Sequence, residues 1–466
     1  MPRPNAGLTA LTALPLELLH RICSHLCCHC LRAHTTVDCN DAQQEPRDRT
    51  RERRETLLSL AQTCRVLNAA AEPFLYHCLH IRTKHALCSL IRTLAERPDL
   101  GSRVSAIDVG HTSGTAPPSL TQPALDAVLR HMRRAGLLHL YDALLSEDGP
   151  ERSAMMTEGV EHGILVSRLL HLVPNLESFH LRLVADKGSF RMPLESASWT
   201  PWLKSLKRLA FSSAETPLMM NRIALVMRLA PNLEALHLSG LACVSHVFPA
   251  VLGRETPESP PPLTNLAELS LSDALLTAAS LRNLLEAVGP RLSKFSNRQR
   301  PSPLDIYGLA DCASFPAILA ALQRWKHTLR ELSLDVTCGT NPQPPWSLCE
   351  FRALEVLHIN SVTLDLLGNM SRNEYALWSR LPKSIGELRL LECDNGGAAL
   401  RGMVKAYTAG VLPGLRRVEV HNTALEECEP ESEAPQELRE VGASFRAAGV
   451  EFILCPGPGQ SEIEEQ

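Results

Sequence analysis

The sequence predicts an α/β protein, with a short helical module first and then a long array in which short parallel strands alternate with helices. Three observations lead there. The chain has 466 residues, about three times an ordinary domain. About one residue in six is leucine, while aromatics make up only 4%. A six-residue word of the form L-x-x-L-x-L also recurs through most of the chain. A compositional bias of that kind requires a structural unit that repeats.

Taken in order, residues 1–12 read as a disordered N-terminus, and residues 13–80 as the helical module. Apolar residues at Leu14, Leu18, Leu19, Ile22 and Leu26 form a helical stripe that opens with Pro15 at a first-turn position. A second stripe runs through Leu57, Leu58, Ala61, Cys64, Leu67 and Ala71 and is expected to stop before Pro73. Between them, residues 27–55 show almost no apolar periodicity and are expected to be a partly disordered loop.

Residues 81–455 read as the array. Its strands are LESFHL from Leu176, LKRLAF from Leu206, LEALHL from Leu233, LAELSL from Leu266, LRELSL from Leu329, LEVLHI from Leu354, IGELRL from Ile385 and LRRVEV from Leu415. A degenerate copy lies at Leu292 and Phe295. Successive starts are 25–37 residues apart. Helical stripes fill several gaps, at 218–230, 275–288, 315–325 and 400–409, and residues 120–172 look helical without a strand word. Pro-rich breaks at 111–119, 256–262 and 341–346 read as surface loops. Val450–Leu454 is a candidate terminal strand, and 456–466 an acidic disordered tail. Strand then helix at a period near 30 is the signature of an irregular leucine-rich-repeat solenoid. One unit cannot bury its own inward leucines, so neighbours must stack.

Composition narrows the function classes. With 47 basic against 51 acidic side chains, the net charge of −4 supplies no global field for a polyanion. Neither nucleic acid nor a membrane is an expected partner. Fifteen cysteines, an odd number, and no recognisable leader point to reduced thiols and a cytoplasmic or nuclear location. No phosphate-binding loop, dinucleotide fingerprint, nucleophile elbow or H-E-x-x-H motif occurs. No enzyme activity, catalytic residue or cofactor is therefore expected.

The words Leu14-Pro15-Leu16-Glu17-Leu18-Leu19 and Ile22, with LLSLAQTCRVLNAAAEPFLYHCLHI at 57–81, resemble an F-box of the fungal type, which is followed by an irregular leucine-rich array. The resemblance implies docking on a Skp-family adaptor and, through it, on a cullin ligase, with the repeats presenting a target protein for ubiquitination. It implies that Leu14, Pro15, Leu18, Leu19, Ile22, Leu26, Leu58, Cys64 and Leu67 form the adaptor-binding face. Leu67 stands where many members carry tryptophan, and the insert at 27–55 is longer than an ordinary F-box loop. Read from the residues alone, the same stripes could dock a partner or cap the array.

Cys27-x2-Cys30-x3-His34-x4-Cys39 is one residue short of a zinc-knuckle spacing and lacks its glycine. The reading adopted is free cysteines at a helix end, with no metal. The basic run Arg47, Arg49, Arg51, Arg53 and Arg54 is interleaved with Asp48, Glu52 and Glu55, so it reads as a solvated linker or helix entry. A target, whose identity the sequence does not disclose, is expected on the solvent side of the strands. The candidate residues there are His180, Arg208, His237, Ser270, Ser333, His358, Arg389 and Glu419. Their mixture of small, acidic and basic side chains suits a polar protein partner.

Overall fold

The structure is a computed structural model. It describes residues 11–27, 30–31, 47–110, 163, 165–183, 203–213, 218–219, 226–227, 229–242, 263–274, 276–299, 312–336, 347–360, 377–391, 397–422 and 433–456. The three Pro-rich breaks and most of 120–172 lie outside these residues, although 163 and 165–171 are helical as expected. The chain is α/β and divides into two units, Met1–Phe211 with Leu229–Pro231, and Ser212–Arg228 with Asn232–Gln466.

Among the described residues, the first unit opens with the helices α1 (Leu16–Leu26), α2 (Arg47–Thr63) and α3 (Arg65–His77), with short helical stretches at 11–12 and 30–31. Pro15 precedes α1 as its N-cap, one position earlier than expected. The insert is not a loop throughout, because α2 starts at Arg47 within it. Charges of both signs along α2 help: Arg51 Nε and Glu55 Oε1 are 2.8 Å apart, one helical turn along. The stripe from Leu57 to Ala71 is likewise two helices. Cys64 is extended (φ −158°, ψ 167°) and caps α3, and Asn68 Nδ2 donates to Ala61 O across the corner at 3.0 Å. That corner lets Leu57, Ala61 and Ala71 pack with Cys23, and Leu67 and Ala70 with Leu19. Helix α3 runs through Pro73 to His77. The hydrogen bond that the proline forfeits belongs to Ala69, an exposed residue whose carbonyl solvent can serve.

Among the described residues, four parallel strands follow in the order β1-β2-β3-β4: β1 (Cys78–Ile81), β2 (Ala106–Val109), β3 (Ser178–Leu183) and β4 (Arg208–Ser213). Between β1 and β2 lie α4 (Lys84–Glu96), capped by Thr83, and α5 (Pro98–Gly101). The strand series therefore starts about 100 residues earlier than the leucine words indicate. Strands β1 and β2 are four residues long and lack the leading leucines, yet they keep the period-2 burial, with Leu79, Ile81, Ile107 and Val109 inside. Phe179 and Phe211 continue that core edge to face, 6.4 Å apart.

In the second unit, eight parallel strands run in chain order among the described residues. Its elements are β5 (Leu218–Met219), β6 (Ala235–Ser239), β7 (Leu241–Ala242), β8 (Glu268–Ser272), α6 (Ala278–Glu286), β9 (Lys294–Gln299), α7 (Phe315–Leu322), β10 (Glu331–Val336), β11 (Val356–Asn360), β12 (Glu387–Leu391), α8 (Gly397–Thr408), β13 (Arg417–Asn422), α9 (Glu433–Ala447) and β14 (Glu451–Pro456). The helix expected from Leu218 is instead a short strand there, β5, paired parallel with β7; helical structure appears at 226–227 and 229. The candidate terminal strand at Val450–Leu454 is β14.

Within each unit a backbone device joins one strand to the next. The carbonyl just before one strand accepts two consecutive N–H groups from the next: Ser293 O from Arg330 and Glu331, Arg330 O from Glu355 and Val356, Glu355 O from Gly386 and Glu387. The same pattern occurs in the first unit, where Ser105 O accepts from Glu177 and Ser178. It keeps neighbours in register, so inward leucines stack in rows such as Leu332, Leu357, Leu388 and Val418, all fully buried. Strand β9 breaks the pattern. Asn297, between Leu271 and Leu334 in register, is buried, as is Gln299, whose Nε2 donates to Ala313 O at 3.4 Å.

Candidate functional site

All the large apolar side chains that are exposed among the described residues belong to the helical module. They are Leu16 at 49%, Leu18 at 46%, Ile22 at 39%, Leu58 at 47% and Val66 at 48% of full exposure. Leu18 and Ile22 are one turn apart on the same flank of α1. The adjoining flank, Leu19 and Cys23, is buried in the module's own core. Helix α1 is thus apolar over a wider arc than α2 and α3 cover.

This geometry sorts the expected docking residues by exposure. Leu19 and Leu67 are not on an open stripe: each is buried, and they pack together with Ala70. Leu14 and Cys64 are half-buried against the same cluster, and Leu26 against Cys23, Leu57, Ala61 and Ala71. Pro15, Leu18, Ile22 and Leu58 are exposed. Leu16 and Val66 are exposed apolar residues that the sequence reading left out.

A second feature lies where α1 and α3 end. Cys27 is the C-cap of α1, and Leu31 N donates to Cys27 O at 3.1 Å, which turns the chain and brings Cys30 back towards α3. His77 is the last residue of α3. Its Nδ1 lies 3.7 Å from Cys27 Sγ and 3.3 Å from Cys30 Sγ. Burial pushes the Cys30 thiol up and the His77 imidazole down. His34 and Cys39, the other members of the near-knuckle spacing, lie outside the described residues.

The solvent side of the strands is a row of matched charges. In the first unit, Asp108 of β2 stands between its register partners His80 of β1 and His180 of β3. His80 Nδ1 is 3.3 Å and Arg82 Nη2 3.0 Å from Asp108 Oδ2, while His180 Nδ1 is 3.2 Å from Oδ1. In the second unit, Lys294 and Glu331 pair at 2.9 Å across β9 and β10, and Arg298 and Asp335 at 3.2 Å. Glu419 accepts from Arg417 at 2.7 Å and pairs with His421 at 2.8 Å, with Arg389 3.4 Å away.

Two of the expected target-facing residues are less open than alternation alone implies. His358 and Glu419 are buried, at 4% and 7% exposure. Rows of parallel strands in register put side chains of one row about 4.8 Å apart, so long neighbours cover short ones. Arg389 stands beside both residues in register. His180, Arg208, His237, Ser270, Ser333 and Arg389 are half-buried; His237 Nε2 lies 3.8 Å from Glu268 Oε1.

Asp108 has a consequence for pH dependence. Burial would raise its carboxyl, but the close contacts of His180 and His80, and the charges of His180 and Arg82, outweigh that and hold it well below the usual carboxylate range. A depressed folded-state value stabilises the fold above the unfolded pKa of about 3.9, and the contribution is lost as pH falls below that value towards the folded one. Asp108→Asn is therefore expected to lose about 2 kcal/mol at pH 7, with the gap to wild type narrowing under pH 4. Urea titrations at several pH values, read by hydrogen exchange in β1–β3, check this; a gap independent of pH would refute it.

No helix among the described residues is long and apolar enough to cross a membrane. No family model matches the chain, and no curated protein does.

Proposed function

We propose that this chain is a non-catalytic substrate-recognition subunit of a cullin-type ubiquitin ligase: an F-box protein whose helices dock on a Skp-family adaptor and whose irregular leucine-rich solenoid holds a target. The observation that carries this reading is the confinement of large exposed apolar side chains to α1, α2 and α3. A surface that collects such residues in one small module, and nowhere else among the described residues, favours a protein partner there. The matched charges along the strands suit a polar target surface, where complementarity gives specificity more than affinity. In this role the protein supplies proximity, raising the target's effective concentration near a ubiquitin-loaded enzyme that other subunits recruit.

Purified full chain immobilised at a surface is expected to bind a purified Skp-family adaptor with a Kd at or below about 1 μM, an affinity worth roughly 8 kcal/mol. Absence of measurable binding at tens of micromolar, with the chain folded by circular dichroism, would overturn the ligase reading. The protein would then be better described as a leucine-rich scaffold whose helices cap the array, the second reading of the same stripes.

A further inference from the structure

We propose that Cys27, Cys30 and His77 hold a zinc ion that staples the end of α1 to the end of α3. The inference goes beyond the docking role and stands whether or not an adaptor binds. Its basis is geometric. The three donor atoms Cys27 Sγ, Cys30 Sγ and His77 Nδ1 all lie within 4.8 Å of one another. In a tetrahedron with Zn–S near 2.3 Å and Zn–N near 2.0–2.1 Å, the sulfur-to-nitrogen edge is roughly 3.5 Å. The two observed separations, 3.7 and 3.3 Å, bracket that edge. Two sulfurs thus converge on one imidazole nitrogen, which has a single in-plane lone pair; a cation at the centre serves all three donors at once.

The donor set also selects the metal. Two thiolates and one imidazole are soft-to-borderline ligands, which suit zinc and not calcium or magnesium. Neither Cys27 nor Cys30 is in a disulfide. The spacing is short on one side and long on the other: Cys27 and Cys30 are three residues apart at a helix end, whereas His77 comes from the end of α3, 47 residues beyond Cys30. Zinc sites commonly have this form, a local Cys-x-x-Cys closed by a distant ligand, and a long closed loop gives the ion a folding role. Among the described residues three donors come together here, and a fourth ligand would complete the tetrahedron. The second cluster of metal-ligating types, Glu419, His421 and Cys455, differs because Arg389 and Arg417 already neutralise its carboxylate.

Full chain purified with a reductant and without chelator is expected to carry about one zinc per molecule by elemental analysis. Cobalt added to the metal-free chain should give the visible bands of a tetrahedral site and a thiolate-to-cobalt absorption in the near ultraviolet. Cys30→Ser and His77→Ala should each lower zinc occupancy at least tenfold and abolish the cobalt spectrum, while Cys455→Ser and Cys349→Ser leave both unchanged. Chelation should lower the Tm of wild type by about 5 °C and leave that of Cys30→Ser unmoved, which separates loss of a ligand from loss of fold. The proposal is overturned if folded, reduced chain given excess zinc retains less than about a tenth of an equivalent. It is also overturned if the metal leaves with Cys455→Ser and not with Cys30→Ser, or if Cys27 and Cys30 are isolated as a disulfide from reducing cells.

Discussion

Leu18→Asp combined with Ile22→Asp is expected to weaken binding of a Skp-family adaptor by at least about 100-fold, equivalent to roughly 2.7 kcal/mol, while the Tm stays within about 2 °C of wild type. Both halves follow from exposure. Leu18 and Ile22 are 46% and 39% exposed, so aspartate at either position remains hydrated in the free chain and costs little. In a complex that covers the stripe, each carboxylate would be desolvated without a partner, a penalty of several kcal/mol. The contrasting change is Leu19→Asp, one residue away. Leu19 is 2% exposed and packs with Leu67 and Ala70, so that charge should unfold the module outright. Surface binding of each folded variant, with thermal melts alongside, distinguishes the two. Unchanged adaptor binding by the double variant would remove Leu18 and Ile22 from the docking face.

Trp325→Ala should be the most destabilising single truncation in the second unit, at about 3–5 kcal/mol. Trp325 is 2% exposed and follows α7 in a short 3-10 turn. Its indole N–H donates to Gly289 O at 2.8 Å, which ties one repeat to the turn that precedes β9. Truncation leaves a cavity of indole size and also orphans a buried carbonyl. Trp325→Phe isolates the second effect, since it fills most of the volume without the donor, and should cost about 1–3 kcal/mol. Hydrogen exchange of the β9 and β10 amides reads the effect locally, which matters because a chain of two units need not unfold in one step. If both variants keep wild-type protection, the indole bond contributes nothing.

Much of the array was readable because its signal is local. Every L-x-x-L-x-L word became a strand, and even the degenerate copy at Leu292 and Phe295 supplied β9. Alternation of period two depends only on the pleat, and a run of leucines that no single unit can bury implies stacked neighbours. Strands β1 and β2 escaped because four residues without leading leucines carry too little pattern to separate from a helix end. The corner at Cys64 escaped for a different reason: the apolar spacing on either side continues in phase, and a bond from Asn68 to Ala61 decides that the chain turns.

The docking stripe shows the same division. Leu18 and Leu19 are neighbours of identical chemistry, and periodicity placed both on the apolar arc. Which of them stays wet depends on where α3 lies, a matter of contacts with residues about fifty positions away. His358 and Glu419 were expected to face solvent because alternation assigns them outward, and it does so correctly; that outward residues can still be covered follows from long side chains standing beside them in register.

The order of amino acids by itself determined the α/β class, the repeating strand and the helical start, because each follows from the spacing of apolar residues along a few turns of chain. Tertiary structure alone decided which leucines remain open, how Asp108 is held between two histidines, and that His77 meets Cys27 and Cys30. Those outcomes rest on groups far apart in the chain arriving within a few ångströms of one another, and short-range periodicity carries no information about such meetings.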